Sequence, residues 1–362
     1  MNKYNFLIVG AGLTGSVLAE RLASIGKKVL VIDRRNHIGG NCYDYYDKDG
    51  ILVHKYGPHF FHTNDKEAWE YLSNFTEWIH FPLRVKSFVD GQLFDLPINL
   101  NTINHLYHLN LSSQEMGLFL DKIKKKIDIP KNAEEQVVSR VGWDIYNKFF
   151  KNYTIKQWGI PPKDLDASVT ARIPIRYNKD DRYFSDKYQG IPKKGYYKMF
   201  ENIINHKNIE LRLSSNYREI KNKVIYQNLI YTGCIDEFFN YKFGKLPYRS
   251  LRFEFETLNK KFYQDYCTVN YPNDYDFTRI VELKHATGQK VKKTTIVKEY
   301  PISKGEPFYP IPRKENETLY KKYAQEVEKF NNIYFIGRLA QYKYYNMDQV
   351  VREALNFSKL FI

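Results

Sequence analysis

One segment restricts the fold more than any other. Phe6-Leu7-Ile8-Val9 is an apolar run suited to a buried strand, and Gly10-Ala11-Gly12-Leu13-Thr14-Gly15 follows at once, a complete G-x-G-x-x-G. Apolar residues then recur at helical spacing (Val17, Leu18, Leu22, Ile25), and Gly26 can end that helix. Val29-Leu30-Val31-Ile32 reads as a second strand, closed by Asp33, 18 residues after Gly15. A strand, a glycine turn, a helix and a strand ending in an acid form the dinucleotide-binding unit of an α/β, Rossmann-like domain. Glycines at 10, 12 and 15 let the backbone approach a pyrophosphate, the helix start presents free N–H groups beside Thr14, and Asp33 accepts hydrogen bonds from a ribose. A signal peptide is the rival reading of a lysine followed by apolar residues. Three glycines inside the run and the paired strand ending in Asp33 argue against it.

Arg34-Arg35-Asn36-His37-Ile38-Gly39-Gly40-Asn41 follows the acid. A basic residue and a Gly-Gly turn in this place resemble the extended FAD signature of glutathione-reductase-like flavoproteins. Beyond it come ordered, unusual motifs: His54-Lys55-Tyr56-Gly57-Pro58-His59-Phe60-Phe61-His62-Thr63, Tyr153-Thr154-Ile155-Lys156-Gln157-Trp158-Gly159, Arg172-Ile173-Pro174-Ile175-Arg176, Tyr183 to Pro192, Tyr231 to Asp236, and Gly337 to Asp348. Together they resemble the bacterial UDP-galactopyranose mutases almost from end to end. The resemblance implies an FAD enzyme, active in its reduced form, that interconverts UDP-galactopyranose and UDP-galactofuranose for cell-surface glycans. In that chemistry the reduced flavin N5 attacks the anomeric carbon and displaces UDP. It also implies a cytoplasmic homodimer. Leu83-Arg84-Val85 departs from the family, where many members have His and some Asn at the first position, and Asn346 stands where several have Asp.

The resemblance assigns Gly10, Gly12, Thr14, Gly15, Asp33, Arg34, Gly40, Asn41, His59, Phe60, Arg338, Met347, Asp348 and Gln349 to the cofactor. Phe150, Tyr153, Thr154, Trp158, Arg172, Tyr183, Asn270, Arg279, Tyr309 and Tyr344 go to the substrate, and Arg172, Arg338 and His59 to catalysis. The residue types suit those tasks. Aromatic rings wall a flat base, and guanidinium grips a diphosphate through parallel hydrogen bonds. Read alone, His59 is equally a hydrogen-bonded structural histidine, Tyr146 and Phe149 are a core stripe, and the stretch around Arg172 and Tyr183 is a solvated charged loop. His54, His59 and His62 lack spaced Cys or carboxylate partners, so no metal site is expected.

The charge narrows the partners. With 56 basic and 41 acidic residues the chain carries +15. There is no recognition helix, zinc finger or basic tail, so a small anionic substrate is expected rather than nucleic acid. No run approaches the roughly 20 apolar residues of a membrane helix. Three scattered cysteines form no disulfide framework, which fits a reducing cytosol. The rival functions are an FAD oxidoreductase of the amine-oxidase type, a mutase acting on UDP-N-acetylgalactosamine, and a non-catalytic nucleotide or nucleic-acid binder.

Three domains are expected. The FAD-binding domain is discontinuous, over 1–64, 190–237 and 313–362. A helical substrate domain with a mobile loop occupies 98–189. Alternating apolar and polar positions over 65–97 and 238–312 read as an antiparallel sheet domain.

Overall fold

The computed structural model describes residues 3–361. Its central layer is a five-stranded parallel sheet in the order Ile209–Arg212, Val29–Ile32, Lys3–Val9, Ile225–Tyr231, Ile333–Phe335. The central strands, 6–9 and Val29–Ile32, are continuous apolar runs because both of their faces are covered. Leu13–Ser24, Gly195–Ile204 and Met347–Ser358 supply one core with Phe6, Ile8, Val29, Val31 and Ile230. Tyr4, Leu7, Leu30, Ile32 and Leu229 pack on the other face. This arrangement places Gly10, Asp33, Thr232 and Gly337 together at the carboxyl ends of the strands. That edge is where open α/β sheets bind ligands.

A seven-stranded sheet runs Tyr309–Pro310, Tyr248–Leu258, Thr294–Ile302, Arg279–Val281, Thr268–Asn270, Val85–Val89, Gln92–Leu96. It is not wholly antiparallel. Thr268–Asn270 pairs with 85–87 in parallel, because strands from two remote chain segments meet there. Helices Leu100–Leu106, Ser113–Ile123 and Ala133–Ile145 share a core with its Val85, Val89 and Phe94. Lys66–Ser73, placed by sequence in the sheet segment, is instead a helix started by Asp65, whose carboxylate accepts the Ala68 N–H at 3.1 Å. Its Ala68, Tyr71 and Leu72 join the core of the parallel sheet.

A three-stranded sheet of Phe61–Thr63, Tyr188–Pro192 and Trp78–His80 lies beside the histidine loop. No described helix is long and apolar enough to cross a membrane.

Candidate active site

Two cavities of about 260 Å³ and 250 Å³ meet at Asn41, His59, Arg338, Asn346 and Met347, which line both. The first follows the carboxyl edge of the parallel sheet. Gly10, Gly12, Leu13 and Thr14 form its floor, with Gly39, Gly40 and Asn41 opposite. Gly12 and Gly40 stand back to back: a Cβ on Gly40 would come within 3.0 Å of the Gly12 Cα, and Gly40 holds a φ of +55°. Only bare backbone fits such a cradle, and the helix starting at Leu13 turns uncapped N–H groups toward it. Asp33 accepts the Ala11 and Arg35 N–H groups, both at 2.8 Å, which fixes its carboxylate at the cavity wall. Arg34 lines the same wall, and Arg35 ion-pairs with Glu306 across it. A dinucleotide fits this cradle on the chemistry of its donors: N–H groups for the phosphates and a fixed carboxylate for a ribose.

The residues assigned to the cofactor from sequence do not all line this cavity. Gly15 lies beneath the floor against Gly10 and Ile8, giving close packing rather than contact. Asp348 and Gln349 line neither cavity: Asp348 accepts the Thr63 hydroxyl at 2.9 Å, and Gln349 accepts the Asn346 N–H at 2.9 Å in a capping box. Phe60 lines the second cavity rather than the first, because its ring turns to stack on Phe81 at 5.8 Å. His59 lines both. Its Nδ1–H donates to the Gly57 carbonyl at 2.8 Å, and its main-chain N–H donates to His54 Nδ1 at 3.0 Å. Burial pushes His59 down to about 4, so the ring is neutral and Nε2 is left as an acceptor.

The second cavity is cationic and aromatic. A π-turn over Tyr146–Lys151, a feature common at functional sites, re-aims the chain before helix Asn152–Trp158. Phe150, Tyr153, Thr154 and Trp158 thereby face the cavity, and Phe149, read as core, also reaches it. Tyr146 stays in the core, its hydroxyl donating to Glu134 at 2.7 Å. Trp158, Tyr309 and Tyr344 cluster with ring centroids 5.4–6.3 Å apart. Arg172 lies 4.7 Å over the Tyr344 ring and Arg338 lies 5.2 Å from it. Burial raises the Tyr344 hydroxyl, and Arg172 and Arg338 outweigh that and hold it below the ordinary tyrosine value. Gly337, at a φ of +104°, packs on Thr14 and so delivers Arg338 to the junction. The Arg338 Nε donates to the Tyr345 carbonyl at 3.1 Å.

Arg279, Tyr183 and Asn270 complete the wall. Sequence reasoning missed Glu299, buried in the cavity 3.3 Å from Arg279. Burial raises its carboxyl, and Arg279 opposes the rise. The signal was present: Glu299 shares a strand face with Val297, and both are buried while Lys298 between them is not. His62 was also missed; its Nδ1 lies 3.0 Å from Asp186 and its ring stacks on Phe184 at 3.6 Å. Three arginines against one carboxylate leave net positive charge. Gln157 Oε1, Thr268 Oγ1, Asn270 Oδ1 and Arg279 Nε are buried without a hydrogen-bond partner. Orphaned groups on one cavity wall mark the place of a polar, anionic ligand. Among the described residues no group of three His, Cys, Asp or Glu could hold a metal ion.

The family model described as UDP-galactopyranose mutase matches residues 148–344, more than half the chain. The chain belongs to the UDP-galactopyranose mutase family. A Rossmann-like NAD(P)-binding domain model matches residues 8–75. A probable UDP-galactopyranose mutase of Klebsiella pneumoniae is 41% identical over 100% of this chain and 96% of its own. A dTDP-fucopyranose mutase of Escherichia coli is 40% identical over 100% and 99%. A solved reduced UDP-galactopyranose mutase superposes with a TM-score of 0.81 at 18% identity, covering 99% of this chain and 95% of that one, which shows the shared fold. The two cavities of this family member meet at His59 and Arg338.

Proposed function

We propose that this protein is an FAD-dependent isomerase that interconverts UDP-galactopyranose and UDP-galactofuranose. The observation that carries the reading is the meeting of Arg172, Arg338 and an aromatic wall with a dinucleotide cradle at one neutral histidine. FAD fits the cradle through Asp33, Arg34 and the glycine turns, and when bound in its reduced form it supplies the nucleophile for the anomeric carbon. The protein then needs few acid–base groups. Arg172 and Arg338 take the charge that grows on the departing diphosphate. Tyr153, Trp158 and Asn270 orient the nucleoside, and His59 Nε2 accepts a hydroxyl hydrogen at the junction. Phe60, Phe149 and Phe150 exclude water.

An amine-oxidase reaction is disfavoured, because a cationic amine gains nothing from converging arginines. The relatives' names differ in both nucleoside and sugar at 41% and 40% identity, so overall similarity does not choose between them. The reading includes a cytoplasmic homodimer, checked by light scattering against the 43.2 kDa chain mass. The functional test is chromatography of UDP-galactopyranose incubated with dithionite-reduced and with oxidised enzyme. Conversion only after reduction supports the reading. Peroxide release with an amine and no isomerisation would overturn it.

A further inference from the structure

His54 is buried and lines neither cavity. It ends the strand Leu52–His54, which pairs antiparallel with Asp44–Tyr46, and Asp44 stands directly opposite it on that ribbon. Asp44 is buried too, and it ties the ribbon to the core of the parallel sheet. Its two carboxylate oxygens accept the Tyr196 and Tyr197 N–H groups at 2.6 and 2.7 Å, at the start of helix Gly195–Ile204. The far end of the ribbon is closed by Asp47, which accepts the Asp49 and Ile51 N–H groups, both at 2.9 Å.

The His54 ring has one proton to place. Its Nδ1 accepts the His59 main-chain N–H at 3.0 Å, so that nitrogen is bare. Burial keeps the ring neutral, and the proton therefore sits on Nε2, 3.8 Å from the Asp44 carboxylate. That gap is too long for a direct hydrogen bond, but in a dry core the carboxylate still favours an N–H turned toward it over a lone pair. The Tyr196 ring packs edge-on against His54 at 5.5 Å. The other tautomer would set Nδ1–H against the His59 N–H and strand both. Among the described residues no other group accepts that N–H. His59 Nδ1–H is already committed to the Gly57 carbonyl at 2.8 Å, so a shift of the His59 main chain carries Nε2 with it.

We propose that His54 is a positioning residue for the isomerisation: through the His59 main chain it sets where His59 Nε2 stands at the junction of the two cavities, and Asp44 holds His54 in the tautomer that can do so. The inference rests on the mutase reading, in which His59 Nε2 accepts a substrate hydroxyl hydrogen, and adds the residue that aims that nitrogen. A misplacement of about 1 Å costs on the order of a hundredfold in rate. The nucleotide is gripped elsewhere, by Arg172 and the aromatic wall, so KM should move little.

The test compares His54→Leu, His54→Gln and His54→Asn as reduced, FAD-loaded enzymes, with kcat for UDP-galactopyranose expressed per bound flavin. An Asn side-chain oxygen occupies the place of Nδ1, whereas a Gln oxygen reaches that of Nε2. The Leu and Gln variants should lose about tenfold or more in kcat with little change in KM, and Asn should restore most of it. In a His59→Ala background His54→Leu should cost far less, because the group it positions is gone. Native kcat per flavin in the Leu and Gln variants would overturn the proposal, as would an Asn variant as slow as Leu, or an undiminished cost in the His59→Ala background. Where the variants fail to hold flavin, nitrogen NMR of the histidine-labelled native holoenzyme decides: Nε2–H at neutral pH supports the role and Nδ1–H refutes it. Absence of conversion by the reduced native enzyme would instead remove the mutase reading itself.

Discussion

Replacing Arg172 by alanine separates substrate grip from cofactor binding. The guanidinium stands 4.7 Å over the Tyr344 ring and lines only the sugar-nucleotide cavity, not the dinucleotide one. Flavin content and colour should therefore survive the substitution. A charge-assisted hydrogen bond contributes about 1.5–3 kcal/mol, and guanidinium can make two in parallel to a diphosphate. Some of that loss is recovered by Arg338, 5.2 Å from the same ring, so about 3 kcal/mol is the expected cost. That corresponds to roughly a hundredfold fall in kcat/KM. Because negative charge grows on the leaving nucleotide, the fall should lie in kcat at least as much as in KM. Arg172→Lys, which keeps charge but loses the fork, should sit between. The assay is initial-rate kinetics on reduced enzyme with UDP-galactopyranose, beside an absorbance spectrum for bound flavin. Native kinetics, or loss of flavin from a folded Arg172→Ala variant, would refute the reasoning. Arg338→Ala is the contrast: it lines both cavities and bonds the Tyr345 carbonyl, so it should weaken flavin retention as well as turnover.

Gly40→Ala should give a folded but colourless protein, since its Cβ would press on Gly12 across the cofactor floor at a φ of +55°; flavin absorbance and circular dichroism together check it. Stability should fall on acidification from about pH 6.5. Burial holds His59 and His54 down to about 4 and about 3, while it pushes Asp44 up to about 6. Between about pH 4 and 6 unfolding then takes up two histidine protons and releases one from Asp44, a net loss of about 1.4 kcal/mol per pH unit. Urea titrations at several pH values measure the slope, and a flat or rising profile would contradict the assignment. UDP-galactopyranose should exceed UDP-N-acetylgalactosamine in kcat/KM by at least roughly tenfold. The His59 wall is pinned by Gly57 and His54 and cannot retreat for the acetamide; side-by-side assays decide it.

The dinucleotide unit was legible because its determinants are local. A strand, a glycine turn, a helix and Asp33 lie within about 30 residues, so chain order alone brings them together. Helix Lys66–Ser73 carried a local signal too, Asp65 before Lys66-Glu67-Ala68, but eight residues hold barely two turns of periodicity. The parallel pairing of Thr268–Asn270 with 85–87 had no such signal. It depends on two segments more than 180 residues apart, and only the assembled core selects its direction. The side chains of Asp348 and Gln349 turn instead to the neighbouring strand and to the start of their own helix, and motif position does not reveal where a side chain turns.

The substrate cavity shows where pattern stops being informative. Around Arg172 the sequence has the charge and irregularity of a solvated loop, and in isolation it would be one. Folding brings Tyr344 beneath Arg172, from a segment that itself follows the last strand of the parallel sheet. Leu83 makes the same point with the opposite chemistry. Leu83-Arg84-Val85 alternates, so Leu83 and Val85 are expected inward and Arg84 outward; Leu83 and Val85 are buried and Arg84 is exposed. Alternation cannot say whether inward means solid core or cavity wall. That distinction is made by Phe149 and Phe150, which the π-turn at Tyr146–Lys151 swings toward the same cavity. A leucine in a filled core would set stability alone, whereas a leucine on this wall also borders a cavity.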